Sequence, residues 1–426
     1  MRSLATARFE FVENVRSLAT ARFEFVENVR SLATAFFWFV ENVRSLTPQP
    51  FELFQNVRSQ PPACAEVCPC YGAVVMWRLA LCGAALWVTT ARAEEVSAPP
   101  AGYYVTRSTT AMGTVLQARA YLTSQPTRAR ELELARHLEA AIAEIRRLEA
   151  LMTTWRPDSD ISKINAQAGA SPVRVSSEVF EVLTRSQEFA QKSSGAFDVS
   201  FYALRGLWHF DEDLTPTLPD PAELRRRLPL INYRNIQLSA KDKTVRLAKV
   251  GMAVNLGGIG KGYAVDAAVK LLRARGVVDG MVQAGGDLML FGSKDGQPFK
   301  AGVRDPRSID PSDFFAVCEV KDHAFSTAGD YERSFVRQGM RYHHILDPRT
   351  GQPARGARSV TVYAKDATTA DGLDDAVLIL GPERGLPLIE SYPDAGAIVV
   401  DAQNRVHISR RLQGLCTVLH PPTPGI

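Results

Sequence analysis

Apolar residues recur at helical spacing in two places. Leu138, Ile142, Ile145, Leu148 and Met152 predict an amphipathic helix over residues 127–154, and Val179, Val182 and Leu183 a second over 177–192. Strand-like runs follow near Ile236, over 245–248 and over 252–256, then a helix from about 262 to 275. Residues 281–291, 315–320, 359–364 and 397–400 read as further strands, with a helix near 370–380. Prolines and acidic residues between 211 and 227 predict a surface excursion. Helices and strands interleave without a regular βαβ alternation, so the pattern predicts an α+β fold rather than a doubly wound sheet.

The first part of the chain lacks this pattern. The unit at residues 2–15 recurs at 16–29, with substitutions at 30–43, and in degraded form over 44–57. Its length of two heptads invites a coiled coil, but no a/d seam is sustained, and Phe9 and Phe11 alternate as in a strand. Near-identical copies decaying toward one end are what a tandem DNA repeat read as protein would give, and we expect residues 1–75 not to belong to the native protein. From Met76, Arg78 precedes an apolar run over 79–88 and the triplet Ala91-Arg92-Ala93. This is the secretory signal-peptide pattern, with a run too short to span a membrane. It predicts a start at Met76, removal of residues 76–93, and an exported, periplasmic bacterial protein occupying residues 94–426. Lipid attachment at Cys82, which would anchor the protein to the membrane, is the alternative. Against it, Cys82 lies only six residues after Met76 and follows the large Leu81.

Composition changes this picture little. A chain of 426 residues with 46% hydrophobic and 23% charged residues is neither disordered nor collagen-like. Fifty Lys+Arg against forty-six Asp+Glu give no electrostatic case for nucleic acid. Six cysteines are too few for a disulfide-held scaffold. Cys64, Cys68 and Cys70 have no second Cys/His pair nearby and sit among prolines, which argues against zinc. Cys318 and Cys416 are too far apart in sequence to pair by any local argument.

Four stretches carry candidate chemistry. Asn255-Leu256-Gly257-Gly258-Ile259-Gly260-Lys261-Gly262 joins a strand to a helix, so its N–H groups can face an anion beside the Lys261 charge, although a tight turn explains it equally well. Gly285 and Gly286 within an apolar run imply a close approach by a ligand or another chain, or a bulge. The Asp347-Pro348-Arg349-Thr350-Gly351 turn can fix the directions of His344 and Asp347, with an ordinary surface turn as the alternative. Asp371 and Asp375 lie four apart on one helix face, where two carboxylates repel unless a cation sits between them. Hard oxygen ligands suit Mg²⁺. Asp371 also fits a simple complement to the helix dipole, which the doublet Asp374-Asp375 fits less well. Together these stretches point to phosphoryl-type chemistry on a nucleotide.

In order along the chain stand Ala111-Met112-Gly113-Thr114, Met152 to Ser159 with Ile161 to Asn165, Ser194-Gly195-Ala196-Phe197-Asp198, Leu256 to Ala264, Gly285-Gly286-Asp287, Ser326 to Tyr331, His344 to Gly351, and the acidic helix at 371–381. Over about residues 107–410 these motifs resemble the ApbE family of bacterial FAD:protein FMN transferases. The resemblance implies two interlocked α+β subdomains, of the T-fold-like ApbE kind, with a flavin cleft between them. It also implies transfer of FMN from FAD to a Thr or Ser hydroxyl of a target protein through a phosphodiester, with release of AMP. The targets would be redox-complex subunits or extracytoplasmic flavoproteins. By position, Met112, Trp155, Ala196, Phe197, Asp198, Asn255, Lys261 and Leu346 correspond to FAD contacts. The Gly258 carbonyl, Asp371 and Asp375 correspond to Mg²⁺ ligands, and His344 to the histidine that moves a proton or positions the phosphate. Three positions depart from the family pattern: Asn255 stands for a common Asp, Gly260 for a common Ala, and Asp375 for a usual Thr. The last leaves FAD hydrolysis to FMN and AMP as a second expectation. A non-catalytic periplasmic FAD-binding protein is a third, for which neither the acidic helix nor His344 is needed.

Overall fold

In the strand Gly396–Asp401 every residue is buried, and its side chains divide by parity. Ala397 and Val399 join one apolar cluster, Ile398 and Val400 another. Alternation of this kind places one set on each face of a sheet, and a strand buried on both sides has both faces covered. The computed structural model describes residues 102–210, 216–310 and 312–426. The repeat, the signal-like segment and Cys64, Cys68, Cys70 and Cys82 lie outside the described residues, as do 211–215 of the surface excursion.

The sheet has eight strands: Tyr103–Ala111 (β1), Thr114–Leu122 (β2), Gly280–Ala284 (β3), Asp287–Phe291 (β4), His323–Gly329 (β5), Ala357–Ala364 (β6), Gly396–Asp401 (β7) and Val406–Ile408 (β8). They pair in that order, and every pairing is antiparallel. One face carries the helices Arg128–Met152 (α1), Ser177–Lys192 (α2), Gly260–Ala274 (α3) and Ala367–Glu390 (α4). The side chains of Thr127, Ser176 and Asp366 cap α1, α2 and α4 by accepting from backbone N–H groups. Gly381, at φ 71°, breaks α4 immediately before Pro382. A small sheet of Val173–Arg174, Ile236–Ser239 and Thr244–Leu247 adds Ile236, Val245 and Leu247 to the same core.

The opposite face is covered by a three-stranded sheet of Phe299–Arg304, Phe314–Val320 and Cys416–Val418, whose Phe299, Phe315 and Val320 pack on Phe325, Tyr363 and Ile398. Cys318 and Cys416 are register partners and form a disulfide. Their pairing is set by the sheet, across 98 residues of chain, which no local reading could reach.

The α+β expectation holds, and all the described residues belong to one compact unit whose two cores share the central sheet. Helices expected at 127–154, 177–192 and 262–275 occupy Arg128–Met152, Ser177–Lys192 and Gly260–Ala274. Two expectations change. Residues 281–291 are a hairpin, not one strand, because Gly285 (φ 62°) turns the chain so that Ala284 faces Asp287. Residues 252–256 pair with no strand: the Asn165 side chain donates to the Val254 carbonyl (2.9 Å) and accepts from its N–H (2.7 Å), so one amide side chain replaces a neighbouring strand.

Candidate functional site

The glycine turn before α3 satisfies most of its own amides. Asn255 Oδ1 accepts from Gly257 N (2.7 Å), and the Leu256 carbonyl accepts from Ile259 N (3.1 Å) and Gly260 N (2.7 Å). The Gly262 N–H donates to Asp371 Oδ2 at 2.8 Å. The anion that meets the positive end of α3 is therefore a carboxylate of the protein itself. A Cβ at Gly262 would stand 2.2 Å from the Ala367 carbonyl oxygen, so only glycine lets α3 and α4 approach this closely. At Gly260 the nearest atoms would be 3.6 Å away, so the alanine common at this position in the resemblance would also fit.

Lys261, the next residue, projects into a buried acidic cluster. Its Nζ lies 2.5 Å from Asp287 Oδ2 and 3.3 Å from Asp371 Oδ1. Asp287 arrives directly after the Gly285-Gly286 turn, Asp371 and Asp374 from the first turns of α4, and Ser326 from β5. The three carboxyls of Asp287, Asp371 and Asp374 each place an oxygen within 4.8 Å of the others. Ser326 Oγ lies 2.6 Å from both Asp287 Oδ1 and Asp374 Oδ2. A hydroxyl has one proton to give, so it donates to only one of the two carboxyls at a time. Burial, then repulsion from Asp375, Asp371 and Asp287, pushes Asp374 well above the usual carboxylate range.

Burial and the Asp287 charge also raise Asp371 to about 7 against the opposing pull of Lys261, and burial raises Asp375 to about 6. For Lys261 burial favours the neutral amine, but Asp287 and Asp371 outweigh it and hold the ammonium charged. Four carboxyls thus surround one ammonium. Asp375 faces Gly258, where a Cβ would come within 2.9 Å of Asp375 Oδ2 and 3.5 Å of the Phe197 ring, and no described residue donates a hydrogen bond to its carboxylate.

A second rim lies by the β1–β2 turn. Met112 (φ 53°) and Gly113 (φ 70°) form it, and Glu149 Oε1 on α1 accepts from Met112 N at 2.6 Å. The Met112 methyl reaches toward Gly260. His344 follows the hairpin of Ser334–Arg337 and Met340–His343, and its N–H donates to the Arg333 carbonyl at 3.1 Å. Burial, then the neighbouring His343 and Arg333, lowers the His344 imidazole to about 3. An imidazole held this low is uncharged at neutral pH and a weak base, and an anion placed beside it would raise its proton affinity. Its Nδ1 is buried and has no hydrogen-bond partner among the described residues. The neighbouring His343 is buried with Nε2 on the Ala354 carbonyl at 2.9 Å, a structural contact. The turn after His344 forms as expected: the Asp347 carbonyl accepts from Gly351 N (2.8 Å) and its carboxylate pairs with Arg349 (2.7 Å).

The tertiary structure thus gathers Phe197, Gly258, Lys261, Asp371 and Asp375 around the glycine turn, with Met112 next to Gly260. Ala196 is fully buried, and the Asp198 carboxylate is taken up by Ser200 N, Ser200 Oγ and Tyr233 N at 2.6–2.8 Å. Leu346 is half-buried on the short strand Leu346–Asp347. Trp155, just past the end of α1, is 92% exposed and is the one predicted contact with no apolar cover. Asp287, Ser326 and Asp374 were not among the predicted ligands. Each lay in a motif, Gly-Gly-Asp, Ser-Thr-Ala-Gly or the acidic doublet, but nothing local indicated that the three would meet.

A fully antiparallel sheet with helices on one face, and a carboxylate–lysine cluster buried beneath a glycine turn, define an α+β protein with a concentrated charged site. The ApbE family model matches residues 112–399, and the chain belongs to the ApbE family. A protein of Treponema pallidum named FAD:protein FMN transferase is 34% identical over 355 residues, covering 79% of this chain and 94% of its own length. One of the same name from Vibrio cholerae is 32% identical over 243 residues, covering 56% and 72%. Among solved structures, the ApbE protein of Thermotoga maritima superposes with a TM-score of 0.65 at 33% identity, over 74% of this chain and 99% of that one. The flavin transferase ApbE of Vibrio cholerae gives 0.63 at 27%, over 74% and 100%.

Proposed function

We propose that this protein is an FAD:protein FMN transferase that joins FMN to a Thr or Ser hydroxyl of an acceptor protein and releases AMP. The observation that carries the reading is the His344 imidazole, half-buried with an Nδ1 that has no partner among the described residues, together with an acidic cluster of four carboxyls around the single ammonium of Lys261. In the transfer the acceptor oxygen bonds to the phosphorus on the riboflavin side of FAD, and the bond from that phosphorus to the bridging oxygen breaks. AMP leaves with the bridging oxygen, and one proton is released. His344 accepts that proton from the hydroxyl. Lys261 holds Asp287 and Asp371 in place. Met112, Phe197 and Leu346 line the flavin side, with Trp155 free to fold over a bound ring.

The donors suit Mg²⁺ in kind: the Gly258 carbonyl and the carboxylates of Asp371 and Asp375 are hard oxygen ligands, and beside them Asp287, Asp371 and Asp374 place oxygens within 4.8 Å of one another, a surplus of carboxyls over ammonium that calls for a cation. Bound there, the metal would neutralise charge on the pyrophosphate. Incubation of the protein with FAD, Mg²⁺ and a purified flavin-acceptor domain tests the proposal. It requires AMP together with an FMN-sized mass gain on the acceptor; AMP with free FMN alone would make the protein a hydrolase, and no AMP would leave only a flavin binder. His344→Ala is expected to bind FAD as before while transfer slows by about 100-fold or more, and an unchanged single-turnover rate would remove His344 from the proton path.

We also propose that the protein works outside the cytoplasm, on an acceptor in a redox complex or an extracytoplasmic flavoprotein. The Cys318–Cys416 disulfide supports an oxidising compartment, alongside the signal pattern over 76–93. Among the described residues no helix is long and apolar enough to cross a membrane. The periplasmic product is expected to begin at Glu94, and N-terminal sequencing that found residues before Met76 would overturn the reading of the leader.

A further inference from the structure

We propose that Arg333 binds the pyrophosphate of FAD. The inference rests on the transfer reading and names a substrate contact that the motifs did not include. It begins from charge. A pyrophosphate diester brings two negative charges to a site already holding Asp287, Asp371, Asp374 and Asp375, and the ammonium of Lys261 is engaged by two of them, at 2.5 and 3.3 Å. Among the other nearby cations, Arg349 is paired with Asp347 at 2.7 Å, Arg341 donates to Ser334 Oγ at 2.8 Å, and Arg355 donates to the Arg341 carbonyl. Arg333 differs from all of these: it is exposed, and its guanidinium makes no ion pair or hydrogen bond with any described residue.

Its position is equally specific. Arg333 Nη2 lies 3.9 Å from the point where a Cβ of Gly113 would stand, so the guanidinium sits over the Met112-Gly113 turn. Its carbonyl accepts the His344 N–H at 3.1 Å, which ties the backbone of the two residues together, and its charge is felt by the His344 imidazole. Met112 in turn reaches toward Gly260, the first residue of α3. Guanidinium, Met112-Gly113 turn and the glycine turn at Gly260 thus follow one another, with His344 tied to Arg333 through the backbone.

The chemistry asks for a cation on this rim. As the phosphorus–oxygen bond to AMP breaks, the AMP phosphate goes from one negative charge in the diester to two in the monoester, while the new phosphodiester keeps one and the hydroxyl proton departs. A guanidinium with free N–H groups can stabilise that growing charge with two parallel hydrogen bonds.

The test compares the intact protein with Arg333→Ala and Arg333→Lys. ADP and riboflavin serve as separate probes of the two halves of FAD, and FMN transfer is followed at saturating acceptor. In Arg333→Ala, ADP affinity is expected to fall by about 10-fold while riboflavin binding stays unchanged, and kcat is expected to fall by about 100-fold. Arg333→Lys should recover part of both losses, since it restores the charge without the fork. The exposure of the side chain predicts an unchanged Tm, which separates loss of contact from loss of fold. Unchanged ADP affinity overturns the proposal, as does a variant whose only defect is a higher KM for the acceptor. If the wild-type protein yields no AMP from FAD, the transfer reading fails, yet the contrast between ADP and riboflavin still decides whether Arg333 holds phosphate.

Discussion

Asp371→Ala is expected to lower FMN transfer by about 1000-fold or more, since Asp371 belongs to the proposed metal set, and metal and charge terms are each worth several kcal/mol. The carboxylate has three duties: it accepts the Gly262 N–H at 2.8 Å, faces the Lys261 ammonium at 3.3 Å, and shares the face of α4 with Asp375. Truncation leaves a buried N–H without an acceptor, which costs about 1–3 kcal/mol. The same change relieves repulsion from Asp287, part of what raises Asp371 to about 7, so the stability lost is smaller than the hydrogen bond alone implies. Asp371→Asn separates the duties, because it keeps the shape and the acceptor while removing the charge. It should fold as the parent does and still fail to transfer; full activity in Asp371→Asn would show that the negative charge is not needed.

Gly262→Ala is expected to be the most destabilising single-methyl change in the site, by about 3 kcal/mol or more. The added carbon would lie 2.2 Å from the Ala367 carbonyl oxygen, 2.6 Å from its carbon and 2.8 Å from Asp371 Cβ. All but the last are backbone atoms at the start of α4, which cannot move without displacing the Asp371 hydrogen bond. Alanine is the better helix former by about 1 kcal/mol, and the clash outweighs that gain. Urea unfolding at constant m measures the difference. A variant as stable as the parent would mean that α3 and α4 can separate freely, and Gly260→Ala, with its nearest neighbour at 3.6 Å, is the control expected to be near neutral.

These two residues show how the site was and was not legible. Asp371 and Asp375 stood out because i, i+4 spacing on a helix is a local fact. Gly262 did not, since its need for glycine comes from a helix more than a hundred positions later. Asp198 was expected to touch the flavin, and what the local sequence did not indicate is that its carboxylate also ties the loop to Ser200 and Tyr233. The glycine turn was read as either facing an anion or a tight turn, and the structure puts the carboxylate of Asp371 at the amide of Gly262. The strand His323–Gly329 escaped notice because its alternation mixes Ser326 and Thr327 with alanine and phenylalanine. Those polar residues are there for the acidic cluster and a neighbouring strand, Ser326 on Asp287 and Thr327 on Thr361.

The amino-acid sequence by itself determined the helices α1, α2 and α3 almost to their ends, the α+β class, and the order of the motifs by which the family is known. Each of these depends on residues a few positions apart, where the helical and two-residue periods act. The tertiary structure alone decided that β3, β4 and β5 lie side by side under α3 and α4, and so that Lys261, Asp287, Ser326, Asp371 and Asp374 form one cluster. Lys261 and Asp371 are 110 residues apart. What brings them together is the burial of both faces of one sheet, a global packing solution that leaves no periodic trace in the chain.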